Sequence, residues 1–145
     1  DLDSVLGTSV DNTLIYCCGP EGLLQAVEEK SAHWPKGSLR LERFAPKVVV
    51  RDHEDEPFEV EFTQSQKAVT VSADESILDA AKREGINVIS SCENGTCGTC
   101  ETLVVSGDVD HRDSILTADE QEANKTMMIC VSRAQGKCPK LVLSR

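Results

Sequence analysis

The stretch Ser90-Ser91-Cys92-Glu93-Asn94-Gly95-Thr96-Cys97-Gly98-Thr99-Cys100 decides what this chain folds into. Its cysteines are spaced C-x4-C-x2-C, and a single further cysteine, Cys130, lies far along the chain. This is the plant-type ligand pattern of a [2Fe–2S] cluster, with three thiolates from one tight loop and a fourth from a segment that folds back. The expected ligands are Cys92, Cys97, Cys100 and Cys130. Gly95 and Gly98 lack a Cβ, so the backbone can turn left-handed around a crowded centre. Ser91, Asn94, Gly95, Thr96, Gly98 and Thr99 then supply a loop backbone whose amides can converge on an anion. Thr96 and Thr99 are small enough not to obstruct it.

Other readings of the cysteines fit less well. A structural zinc site usually pairs two short-spaced ligand couples, whereas this chain has one triplet and a lone partner. A disulfide framework suits a short secreted chain with an even cysteine count; here there are seven cysteines and no signal-like amino terminus. The formal charge is −10 and the pI near 4.7, which argues against nucleic acid and anionic membranes as partners. No apolar run approaches the ~20 residues that span a bilayer, and no charged-then-apolar leader suggests export. A reducing cytoplasm is the expected compartment.

Working outward from the loop, the 145 residues fall into unequal parts. From Phe58 to Arg145 the chain has the full pattern of a small domain. Phe58 to Phe62 and Lys67 to Ser72 alternate apolar and polar as half-buried strands do, with Thr63-Gln64-Ser65-Gln66 as the turn between them. Ser76 with Asp79 fits the spacing of a capping box, with Asp74 as an alternative cap. Ile77, Leu78 and Ala81 make an apolar helical stripe, and Gly85 stands where a left-handed stop belongs. Ile86 to Ile89 returns towards extended structure. After Cys100, Thr102 to Val105 reads as a strand, Thr117 and Glu120 cap a second helix, Met127 to Val131 is a strand carrying Cys130, and Leu141 to Leu143 closes the set. The expected fold class is α+β, a mixed sheet grasping one helix.

Asp1 to Pro46 is less self-sufficient. Thr13 to Cys18 is a strand running into Gly19-Pro20-Glu21, with Pro20 suited to the first helical position. Leu23, Leu24 and Val27 form one apolar face, His33-Trp34-Pro35 ends the helix, and Leu39 to Phe44 alternates again. Such a strand–helix–strand unit is too small to cover both faces of a sheet and is expected to be the tail of an α/β domain whose front lies elsewhere. Residues 47–57 join the parts, and Arg51 to Glu56 reads as a solvated linker.

Several segments together identify a resemblance: Tyr16-Cys17-Cys18-Gly19-Pro20, His33-Trp34-Pro35, Ser91 to Cys100, Asp110-His111-Arg112-Asp113-Ser114 and Cys130-Val131-Ser132-Arg133-Ala134. The second part resembles plant-type [2Fe–2S] ferredoxin domains of the β-grasp fold. The whole chain is similar to the carboxy-terminal third to half of the phthalate dioxygenase reductase and vanillate demethylase reductase family. That resemblance implies residues 1–46 as the end of an NAD-binding reductase domain and 58–145 as the ferredoxin domain. It also implies a relay from NADH through FMN and [2Fe–2S] to a Rieske-type oxygenase. Cys18, Gly19 and Pro20 would then lie beside the nicotinamide, with Cys18 nearest the chemistry and Cys17 a buried strand residue.

The departures are informative too. No G-x-G-x-x-G run occurs, and the arginine–aromatic–serine run that holds FMN in the family is absent, so this chain is not expected to bind flavin. The FMN domain and the rest of the NAD domain are therefore expected as partners within one polypeptide. His111-Arg112-Asp113 resembles the start of a kinase catalytic loop but lacks what must follow; it is expected as a turn beside the cluster domain. Cys138 is expected as a free surface thiol or, alternatively, a spare ligand. Glu93 and Asp108 are candidates for a docking face. A stand-alone ferredoxin carrier and a zinc-holding β-grasp interaction module are the functional alternatives.

Overall fold

Alternation in Phe58-Glu59-Val60-Glu61-Phe62 becomes strand β3 (Phe58–Phe62), whose three apolar side chains are buried and whose glutamates face outward. The computed structural model of the chain describes residues 1–47, 54–136 and 139–145. They divide into two compact units, Asp1–Ala45 and Pro46–Arg145.

In the first unit, a short helix α1 (Leu2–Leu6) precedes strand β1 (Ile15–Cys18), helix α2 (Glu21–Lys30) and strand β2 (Leu39–Glu42). β1 and β2 pair in parallel, with Ile15 opposite Leu39 and Cys18 opposite Glu42. The inward residues Ile15, Cys17, Leu39 and Leu41 pack on Leu6, Val27 and Trp34. Trp34 Nε1–H donates to Leu6 O at 2.8 Å, tying the end of α2's exit to α1. Pro20 is the N-cap of α2 rather than its first helical residue, because its ψ of 147° is still extended. Cys17 is half-buried in this small core, as expected for a strand residue.

In the second unit, β3 pairs antiparallel with β4 (Lys67–Val71) and parallel with the last strand, which falls outside the hairpin. The following elements are α3 (Ile77–Arg83), β5 (Glu101–Ser106), β6 (Val109–Asp110), α4 (Ala118–Ala123), β7 (Thr126–Met128), β8 (Arg133–Ala134) and β9 (Lys140–Ser144). The main sheet has the order β4-β3-β9-β5-β7, and β6 and β8 form a separate small ribbon. β9 is therefore central, parallel to β3 and antiparallel to β5. Ile77, Leu78, Ala80 and Ala81 of α3 are buried in one core with Phe62, Val60, Val71, Leu141 and Leu143. Aliphatic side chains do most of the filling.

The capping residues behave as their chemistry requires. Ser76 Oγ accepts from Asp79 N–H at 3.0 Å, and Thr117 with Glu120 makes a reciprocal capping box. Gly85 follows α3 at φ +70°. Ile86 to Ile89 belongs to no helix or strand. Two local expectations are corrected. The strand expected over Met127 to Val131 stops at Met128, because Ile129 O turns aside to accept from Leu78 N–H at 3.0 Å, satisfying a free donor at the start of α3. The expected solvated run is not wholly solvated: Asp55 is bound by Arg112, as described below, while Arg51, Asp52 and His53 lie outside the described residues. Cys138 also lies outside them. Among the described residues no helix is long and apolar enough to cross a membrane.

Candidate metal centre

The four predicted cysteines meet at one end of the second unit. Cys92, Cys97 and Cys100 come from the loop between α3 and β5, and Cys130 from the turn that follows β7, where Val131 N–H and Ser132 N–H both return to Met128 O. That turn, rather than a continuing strand, aims Cys130 across the sheet end at the loop. The thiols associate in two pairs, Cys92 with Cys97 and Cys100 with Cys130, Cys97 acting on the ionisation of Cys92, and Cys100 and Cys130 on each other's. Cys100 and Cys130 are buried, Cys92 is half-buried and Cys97 is exposed.

Backbone donors point at sulfur. Asn94 N–H and Thr96 N–H approach Cys92 Sγ at 3.5 and 3.4 Å, and Thr99 N–H approaches Cys97 Sγ at 3.5 Å. The amide of Gly95 faces Cys130. Burial raises the Cys92 thiol, but the donors of Asn94, Thr96 and Cys97 outweigh it and bring the group down to about 6. The Cys130 thiol pulls Cys100 down to about 7 against the effect of burial. Cys130 itself is driven up, first by its interaction with Cys100 and then by burial. Cys92 and Cys100 are thus eased towards the thiolate, the state a metal-ligating thiol requires. Among the described residues no three of these side chains are gathered closely enough to hold a single metal ion; two thiol pairs with amide donors fit instead the two irons of a binuclear iron–sulfur centre.

Gly95 is buried at φ +79°, and a Cβ there would stand 2.8 Å from Val131 Cγ2 and 3.2 Å from Asp113 Cα. Gly98 has a similar φ of +77°, but its added Cβ would meet only Ile115 Cδ1 at 3.6 Å. Glu93 takes the left-handed region at φ +54° and is held by Lys82 Nζ at 2.7 Å and Ser90 Oγ at 2.8 Å. Hydrogen bonds from Lys82 and Ser90 depress its carboxyl. Ser91 and Asp108 are exposed.

His111-Arg112-Asp113, expected as a turn beside the cluster domain, belongs to a segment that touches the cysteine loop itself. Ser114 N–H donates to Gly95 O at 3.0 Å. Asp113 Oδ2 accepts from Ile115 N–H and Leu116 N–H. His111 is buried 3.8 Å from Asp113 Oδ1, with neither ring nitrogen hydrogen-bonded among the described residues. The signal for this segment was its density of polar residues between two strands, which is equally typical of a solvated loop.

In the first unit, an open groove of about 320 Å³ lies at the carboxyl ends of the parallel strands, lined by Tyr16, Cys17, Cys18, Arg40, Leu41 and Glu42. Cys18 is exposed there. Gly19 and Pro20 sit at the following turn, outside the lining.

Residues 60–135 match the family of 2Fe-2S iron-sulfur cluster binding domains. The chain is 44% identical over 123 residues to the phthalate 4,5-dioxygenase oxygenase reductase subunit of Pseudomonas putida, covering 85% of this chain and 37% of that one. A solved intact type IV self-sufficient cytochrome P450 monooxygenase matches all of this chain at 43% identity and TM-score 0.79, over 19% of its own length. Phthalate dioxygenase reductase, described as a modular structure for electron transfer from pyridine nucleotides to [2Fe-2S], matches it at 38% identity and TM-score 0.68, over 100% of this chain and 44% of that one. The chain spans less than half the length of the curated relatives it matches.

Proposed function

Because the chain belongs to the family of 2Fe-2S iron-sulfur cluster binding domains, we propose that it passes single electrons through a [2Fe–2S] cluster held by Cys92, Cys97, Cys100 and Cys130. It does so as the carboxy-terminal portion of an NADH-dependent, FMN-containing reductase that feeds an oxygenase. The observation that carries this reading is the spacing of the four cysteines together with the amides of Asn94, Thr96 and Thr99 directed at the sulfurs of Cys92 and Cys97. A cluster of this kind exchanges one electron at a time, whereas nicotinamide gives a hydride, so a flavin between them divides the pair. The backbone of Ser91, Asn94, Gly95, Thr96, Gly98 and Thr99 shapes the loop, and its amides offset the charge on the sulfurs. Residues 1–46 are the end of the NAD-binding domain. Cys18, Gly19 and Pro20 form one wall of the nicotinamide site, in keeping with the general placement of ligands beyond the carboxyl ends of parallel strands. The remaining flavin and nucleotide domains belong to the same polypeptide.

A stand-alone ferredoxin would have no use for the groove at Cys18, which favours the reductase. For the oxygenase, we take a Rieske-type partner as the first reading, in keeping with relatives named as phthalate dioxygenase reductases. The higher structural similarity to the self-sufficient P450 supports a haem monooxygenase as a second reading.

Chain purified without air should contain iron and acid-labile sulfide in equal amounts and give an electron paramagnetic resonance signal on chemical reduction. A colourless protein with one zinc would overturn the proposal. Cys130→Ser should lose the cluster while keeping the helix content measured by circular dichroism. Rapid mixing of the reduced chain with a Rieske oxygenase or with a ferric P450 separates the two partner classes by which one oxidises it faster.

A further inference from the structure

Lys47 and Asp55, both ahead of β3, are bonded to the segments that carry the cysteines from two directions. Lys47 N–H donates to Ser114 Oγ at 2.8 Å, and the N–H of the same buried Ser114 donates to Gly95 O at 3.0 Å. Gly95 has no slack there, since an added Cβ would already be too close to Val131 and Asp113. Asp55 accepts from Arg112 Nη1 at 3.0 Å and Nη2 at 2.6 Å, with the Arg112 side chain only 6% exposed. The backbone N–H of Arg112 in turn donates to Ser132 Oγ at 3.1 Å, two residues beyond Cys130. Arg133, also buried, lies 3.8 Å from Asp55 and donates to Glu56 O at 3.2 Å. Thus Lys47 reaches the loop of three cysteines through Ser114, and Asp55 and Glu56 reach the fourth cysteine's segment through Arg112 and Arg133.

A tether that only joined two units would need none of this. A buried ion pair adds little net stability over apolar packing of the same volume, but it does hold its partners in one geometry. Groups that orient ligands from behind also tune a metal centre without touching it. We propose that Asp55 and Ser114 are positioning residues for the cluster, setting the three-cysteine loop against the Cys130 turn so that all four thiolates keep their distances. This inference rests on the cluster reading above and assigns to the segment before β3 a part in shaping the site.

The test uses the cluster-loaded chain. Ser114→Ala removes one hydroxyl, Asp55→Asn removes the charge, and Asp55→Glu restores a carboxylate; Glu59→Gln on the outer sheet face is the control. Three properties are read: the midpoint potential, the anisotropy of the resonance signal of the reduced cluster, and the rate of iron loss to a chelator. Ser114→Ala and Asp55→Asn should shift the first two and release iron about tenfold faster, with Asp55→Glu nearer the parent and Glu59→Gln unchanged. If both variants keep the parent potential and signal at full iron and sulfide content, and lose only thermal stability, the inference is overturned. Should Asp55→Asn fail to fold, Ser114→Ala alone decides by the same readings. Absence of iron and sulfide from the parent chain overturns the cluster reading and this inference with it.

Discussion

Gly95 and Gly98 look interchangeable on paper, yet their surroundings differ. Both have a positive φ, where an alanine costs about 1 kcal/mol. Only Gly95 would also drive a Cβ into Val131 and the Asp113 backbone. Gly95→Ala should therefore lower iron and sulfide per chain well below Gly98→Ala under identical reconstitution; equal losses would mean that backbone conformation, not space, governs the loop. The cysteines make a second residue-scale prediction. In cluster-free chain, Cys92 should react with iodoacetamide half-maximally near pH 6, as mapped by mass spectrometry. The sign follows from the depressed thiol. Its contribution to folded stability is full above the unfolded value of about 8.5 and is lost as pH falls through about 6. A profile centred at pH 8 or above would contradict the amide-to-sulfur arrangement at Cys92.

Among the elements, α3 has the largest structural duty, since it fills the sheet and delivers the chain to the cluster loop. Its start is held by Ser76, whose Oγ accepts from Asp79 N–H, and by Ile129 O, which accepts from Leu78 N–H. The second bond joins the helix directly to the turn that carries Cys130. Ser76→Ala should cost about 1 kcal/mol, seen as a lower urea midpoint at unchanged slope. A midpoint equal to the parent's would show that the Ile129 bond and packing suffice. The lysine–glutamate pairs of this region, such as Lys82 with Glu93, are exposed and contribute little to stability. Glu93 matters more for loop conformation, because it is a non-glycine residue held left-handed.

For the molecule as a whole, the two units differ in self-sufficiency. The second closes its core around α3 and fully buries Phe62, Leu78, Leu141 and Leu143. The first leaves one face of its parallel pair exposed, with Tyr16 76% accessible. Parallel strands ordinarily need cover on both faces. A protein comprising residues 46–145 should therefore fold cooperatively and take up the cluster, whereas residues 1–45 alone should give a disordered amide spectrum by nuclear magnetic resonance. Dispersed amide resonances from the smaller piece would refute this division of stability. Starting the larger piece at Pro46 rather than Phe58 matters, because Lys47 and Asp55 both bond within it.

Local rules determined much of this protein. Cysteine spacing specified the thiol set, because a rigid loop limits which metal centre three close ligands and one distant ligand can serve. Period-two alternation and side-chain caps placed β3, β4, α3 and α4, since these signals act between neighbours in sequence. Only the tertiary structure decided where β9 inserts, that Cys130 sits on a turn rather than a strand, that Gly95 is crowded while Gly98 is not, and that Asp55 is clamped by Arg112. Each of those depends on groups brought together from distant positions, where a carbonyl or carboxylate takes whichever donor the fold presents. A string of charges such as Glu54-Asp55-Glu56 reads as solvent-facing until two buried arginines arrive from elsewhere in the chain to claim one of them.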